Sequence, residues 1–100
     1  MSFVFAIAGG GDRTEVRAEF SDTGIAVNWH QTNPKHSITR TEAQRIIVAT
    51  CPTIEIATQD MSSADQNIRL TRATTHHVAI VIYEIATEIR QRKGLSPAGG

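Results

Sequence analysis

The stretch Thr74–Glu84, TTHHVAIVIYE, decides how this chain folds. Its centre, VAIVIY, is rich in β-branched residues, which favour strands. Strand alternation does not survive Ile80-Val81-Ile82, however. Followed onward to Gly94, the segment instead places Val78, Val81, Ile82, Ile85, Ala86 and Ile89 at i, i+3, i+4, i+7, i+8 and i+11. That is one face of a helix. The span 74–93 is also much longer than an ordinary strand. Glu88 and Arg92 stand four apart with the acid first, the better orientation for a helical pair. Arg90, Arg92 and Lys93 crowd the last turn, where cations complement the helix dipole, and Gly94 closes it. The spacing therefore predicts a helix over 74–93. A second strip, His76, Ile80, Tyr83 and Thr87, lies off the main face. It is the candidate surface for self-association, since a small domain cannot easily cover two faces of one helix.

Working outward, residues 2–8 (SFVFAIA) read as a strand with Phe3, Phe5 and Ile7 on one side. Residues 14–20 alternate Val16, Ala18 and Phe20 against Glu15, Arg17 and Glu19, the mark of a half-buried antiparallel strand. The SDTG turn leads to a third strand, 25–31, with Ile25, Val27 and Trp29 inward. After Pro34 a helix opens at Thr39. Thr39 and Glu42 have capping-box spacing, and Ala43, Ile46, Ile47, Thr50 and Cys51 share a face before Pro52 stops it. Residues 53–59, with Ile54 and Ile56 inward, and 67–71, with Ile68 and Leu70 inward, complete the strands. The expected order is β-β-β-α-β-β-α. This is an α+β domain over residues 1–94, a mostly antiparallel five-stranded sheet with two helices packed on one face, followed by a flexible tail, 95–100. The opposite face carries small and mixed residues, among them Ala26, Asn28, His30, Arg17 and Arg69.

Composition narrows the function classes. One hundred residues make one domain. Ten acidic and ten basic residues cancel, with no basic block of the kind that neutralises phosphates, so nucleic acid is not expected as sole partner. A local anion patch from Arg40, Arg45 and Arg72, with Arg69, is the form a nucleic-acid contact would take. A single cysteine, Cys51, excludes an internal disulfide and a Cys-rich zinc pattern. The apolar N-terminal run lacks a basic flank and is too short for a membrane span. A cytoplasmic protein is expected, without membrane contact.

The chemistry-bearing residues do not assemble into a catalytic motif. His76 and His77 point about 100° apart on a helix and cannot chelate one ion as an i, i+4 pair does. Cys51 falls on the apolar face at a helix C-terminus, where a reactive thiolate is disfavoured. GGGDR, 9–13, lacks the Lys-Ser/Thr of a phosphate loop, and a strand follows it rather than a helix. The carboxylate pairs Glu15/Glu19 and Glu84/Glu88 lie on exposed faces, and Asp60/Asp65 in a polar loop. No catalytic residue, metal or cofactor is expected.

The element order is similar to the core of type III secretion chaperones, small dimeric α/β proteins that bind other proteins. The similarity is one of topology. Their first helix and acidic charge are missing here, so no residue role is carried over. The leading expectation is a small bacterial or phage protein-binding module acting as inhibitor, adaptor or chaperone on a larger protein or nucleoprotein complex. Anti-CRISPR-type inhibitors, antitoxins and immunity proteins are of this kind. Its partner-facing candidates are Arg17, Asn28, His30 and Arg69, with a homodimer through the last helix. The alternatives are a small enzyme or ligand-binding protein with a cleft lined by His30, His36 or His76, and a nucleic-acid contact through the Arg patch.

Overall fold

A computed structural model describes residues 2–7, 14–30, 36, 38–57 and 67–95, with the side chains of Ala6, Ile7, Thr14 and His30 outside the description. Five strands and two helices follow the expected order: β1 (Ser2–Ile7), β2 (Thr14–Ser21), β3 (Gly24–His30), α1 (Arg40–Thr50), β4 (Glu55–Ile56), β5 (Asn67–Arg72) and α2 (Thr75–Arg92). The strands form one sheet in the order β1-β2-β3-β5-β4. Each neighbouring pair is antiparallel. Since β3 and β4 both run antiparallel to β5, they run parallel to each other, and the β3–α1–β4 connection leaves a slot that β5 fills.

The registers show why the alternating sequences pair as they do. Phe5 faces Val16, Val16 faces Trp29, and Ala18 faces Val27. Val27 faces Ile68, and Ile25 faces Leu70. Directly opposed residues share a side of the sheet, so one face becomes continuously apolar. Both helices cover it. Val16, Ala18, Val27, Ile68 and Leu70 are fully buried, together with Ala43 and Ile47 of α1 and the expected stripe of α2. All six stripe residues, Val78 through Ile89, are buried.

The β2–β3 hairpin turns at Asp22-Thr23. Gly24, at φ +130, sits so close to β5 that a Cβ there would lie 2.6 Å from the Leu70 carbonyl oxygen. Both the conformation and the space demand glycine. The Ser21 hydroxyl donates to the Gly24 carbonyl at 3.1 Å, and the Arg69 guanidinium donates to Thr23 Oγ1 at 2.8 Å, tying the turn to β5.

α1 begins as its sequence dictates. The Glu42 amide donates to Thr39 Oγ1 at 3.1 Å, and the Thr39 amide donates to Glu42 Oε1 at 2.9 Å. Ile38 and Ala43, in the two positions of a hydrophobic staple, are both buried. The indole N–H of Trp29 donates to the Ile38 carbonyl at 3.1 Å, so the β3–α1 connection is anchored from inside the core. Ile38 was not among the core positions read from the sequence. Its signal was the apolar residue just before a helix cap.

α2 is capped by Thr74, whose hydroxyl accepts from the His77 amide at 3.2 Å. It ends in a Schellman motif: Gly94 N–H to Gln91 O at 3.0 Å and Leu95 N–H to Arg90 O at 2.9 Å, with Gly94 at φ +75. Leu95, read from sequence as the first tail residue, is partly buried against the core. The remaining tail, 96–100, lies outside the described residues. β4 is shorter than the expected 53–59. Pro52 and Thr53 form a turn closed by the Ile54 amide on the Cys51 carbonyl at 3.1 Å, and a register shift between Glu55 and Ile56 interrupts the ladder. Residues 58–59 lie outside the described residues. Among the described residues, no helix is long and apolar enough to cross a membrane.

Candidate functional site

With both helices on one side, no described element covers the other side of the sheet. The register lays its residues out in rows. Val4, Arg17, Asn28 and Asn67 form one row across four strands. Ser2, Glu19, Ala26 and Arg69 form the next. Glu15 pairs with His30 on the other side of the Arg17 row. Arg17, Asn28, His30 and Arg69 therefore fall on one face within three successive rows, although they come from three strands. Arg17 and Asn28 are direct cross-strand partners.

Arg17 is the centre of this face. Its guanidinium lies 3.5 Å from Glu15 Oε2 and 3.5 Å from Glu19 Oε1, one residue pair along the strand in each direction. Exposed pairs like these add little stability. They place the guanidinium between two carboxylates of the same strand. Arg69, in the neighbouring row, donates to Thr23 in the β2–β3 turn. Ala26 is small and half-buried between them. Val4 is 49% exposed at the margin, adding an apolar border to a charged centre. The arrangement offers guanidinium donors, carboxylate acceptors and an Asn amide on one face of the sheet. Such a surface suits complementary charges and amides.

The strip on α2 divides. His76 is exposed, Ile80 and Thr87 are half-buried, and Tyr83 is 42% exposed. The Tyr83 ring meets Phe5 of β1 edge to face, with centroids 6.5 Å apart, and Thr87 Oγ1 donates back to the Tyr83 carbonyl at 2.8 Å. Part of the strip thus leans on the sheet's first strand. The Arg set does not converge. Arg40 is only 6% exposed, its Nε without a hydrogen-bond partner among the described residues. Arg45 lies on the outer side of α1, and Arg72 extends into solvent at the end of β5, 3.9 Å from Glu55. Arg40 does not present a solvent-facing charge beside them.

The His76 and His77 rings stand 6.3 Å apart at 46°. The cavity beside His77 is lined by Thr53, Arg72, Ala73 and Thr74 and contains no second histidine. Among the described residues, no group of three or more His, Cys, Asp or Glu side chains comes together as metal ligands. Cys51 is buried and unpaired in a disulfide sense. The segments GGGDR and Asp60–Asp65 lie outside the described residues, as does the His30 side chain.

One electrostatic feature was missed by sequence reasoning. Glu42, the capping residue of α1, also receives Arg92 from the far end of α2, with Arg92 Nη1 donating to Glu42 Oε1 at 3.3 Å and Nη2 to Oε2. Glu88, the partner expected from i, i+4 spacing, is farther, at 3.7 Å. The Arg92 hydrogen bond, then the Thr39 amide, pull the Glu42 carboxyl down from its ordinary 4.5 to about 2. This pair is structural, clamping the start of α1 to the end of α2. No protein-family model, curated protein or solved structure matches the chain.

Proposed function

We propose that this protein is a non-enzymatic binding module that acts on another protein, as an inhibitor, adaptor or chaperone, through the open face of its sheet. The observation that carries this reading is the placement of Arg17, Asn28 and Arg69 on three neighbouring strands of one face that no described element covers, with Arg17 between Glu15 and Glu19. Pre-positioned side chains lose less entropy on binding than free ones, and arginine is favoured in protein interfaces. The mixed signs favour a partner surface with mixed charge over a polyanion.

The test is capture of the partner from source cells with immobilised protein, identification by mass spectrometry, and titration of the purified partner. Arg17→Glu combined with Arg69→Glu is expected to weaken binding by at least about tenfold, or 1.4 kcal/mol. Val48→Lys, on the exposed outer side of α1, is expected to leave it unchanged. A partner bound equally by wild type and the double variant would remove the open face from the binding surface.

A further inference from the structure

We propose that β1 pairs edge to edge with β1 of a second copy of this chain, in antiparallel orientation, making one sheet of ten strands. This interface is separate from the open face and goes beyond the reading above. Among the described residues, the two edges of the sheet differ sharply. β4, at one edge, has two residues and an interrupted register. β1, at the other, is a six-residue strand, SFVFAI, with unbroken pairing to β2. Every second residue of an edge strand turns its N–H and C=O away from its neighbour. Monomeric sheets block such a row with Lys, Pro, a bulge or a very short strand. β4 is protected in that way. β1 has no charge, no proline and no bulge.

What satisfies such a row is another extended backbone, so the occupant is a strand. The side chains then specify which strand. Phe3 and Phe5 face the helices but are only half-buried, and Val4 on the other side is 49% exposed. Between β1 and α2 lies an apolar recess of about 170 Å³, lined by Phe3, Val4, Phe5, Ala79 and Ile82. An uncharged strand with aromatic residues on the helix side and a small aliphatic residue on the other fits this edge. A second β1 is that strand. It carries no charge to repel its copy and matches the exposed edge in length. Opposed residues must share a side, so the in-phase registers centre on Val4 or on Phe5; a register between them would put phenylalanine on the open face. The two-fold axis then stands perpendicular to the sheet. Both α2 helices lie on the same side, with the phenylalanines of each copy at the recess of the other.

Light scattering and sedimentation on the full chain test the proposal. Wild type is expected at twice the 10.9 kDa of one chain. Val4→Lys places two cations on the same face of the seam, directly opposed in the Val4-centred register and diagonal neighbours in the Phe5-centred one, and is expected to weaken the dimer by at least about tenfold. Because Val4 is exposed, the variant should keep its fold, checked by circular dichroism. Hydrogen exchange supplies an independent readout: alternate amides of β1 should be protected in wild type and exchange fast in the variant, with β2 and β3 protected in both. Val48→Lys should remain dimeric. A monomeric wild type at millimolar concentration overturns the proposal. So does a dimer that survives Val4→Lys but is lost in Tyr83→Glu, since that dimer would be built on the helix strip.

Discussion

Gly24 shows how much can rest on one residue. Its positive φ turns the chain from β2 into β3, and its missing Cβ lets the Leu70 carbonyl of β5 approach. An alanine there meets backbone, which cannot swing aside as a side chain would. Gly24→Ala is expected to cost about 2–3 kcal/mol, measured as a lower midpoint in urea unfolding. The turn was legible in SDTG; the contact with Leu70 was not, because nothing local says that β5 lies beside β3. Trp29 is similar. Its inward direction follows from alternation, whereas its hydrogen bond to the Ile38 carbonyl depends on where the β3–α1 connection passes. Arg40 is the clearest divergence. An arginine in the first helical turn reads as solvated, yet it shares the buried side of α1 with Ala43 and Ile47.

At the scale of elements, α2 is a contest between local and tertiary preferences. Its valines and isoleucines each give up a few tenths of a kcal/mol of helix propensity relative to alanine. Burying each such side chain returns about 1.5–3 kcal/mol. Periodicity therefore outranks propensity, and six buried stripe positions out of six expected follow from it. The ends are set locally, by Thr74 and by the Gly94–Leu95 Schellman bonds. Thr74→Ala removes the hydroxyl that accepts from the His77 amide. It is expected to cost about 1 kcal/mol in thermal or urea unfolding, with faster hydrogen exchange in the first turn and little change near Gly94. β4 was the least legible element. Its alternation was real, but the turn after Pro52 and the shifted register shortened it.

For the whole molecule, the Glu42–Arg92 pair links the two helices across fifty residues of sequence. Glu42 has a depressed pKa in the folded state, so its contribution is fully present above the unfolded value near 4.5 and is lost as pH falls toward about 2. Both side chains are about a third exposed, and solvent reduces the contribution to about 1 kcal/mol. Glu42→Gln is expected to lower stability by about that amount at pH 7 and by progressively less between pH 4.5 and 2, where the wild-type advantage disappears. Urea midpoints across that window measure it. An unchanged pH profile would mean that the pair adds nothing beyond the surface average.

The sequence by itself determined the element types, their order, the buried stripe of α2, the capping box of α1 and the side of each long strand that faces the core. These are written in periods of 2 and 3.6 residues and in short capping patterns, both set by local backbone geometry. Tertiary structure alone decided the strand order β1-β2-β3-β5-β4 and the meeting of Glu42 with Arg92. It also laid Arg17, Asn28 and Arg69 on neighbouring strands of one face and put β1 at an edge of the sheet formed by the described residues. Those relations depend on which segments pair across long stretches of chain, and residue spacing along one segment carries no record of its neighbours in space.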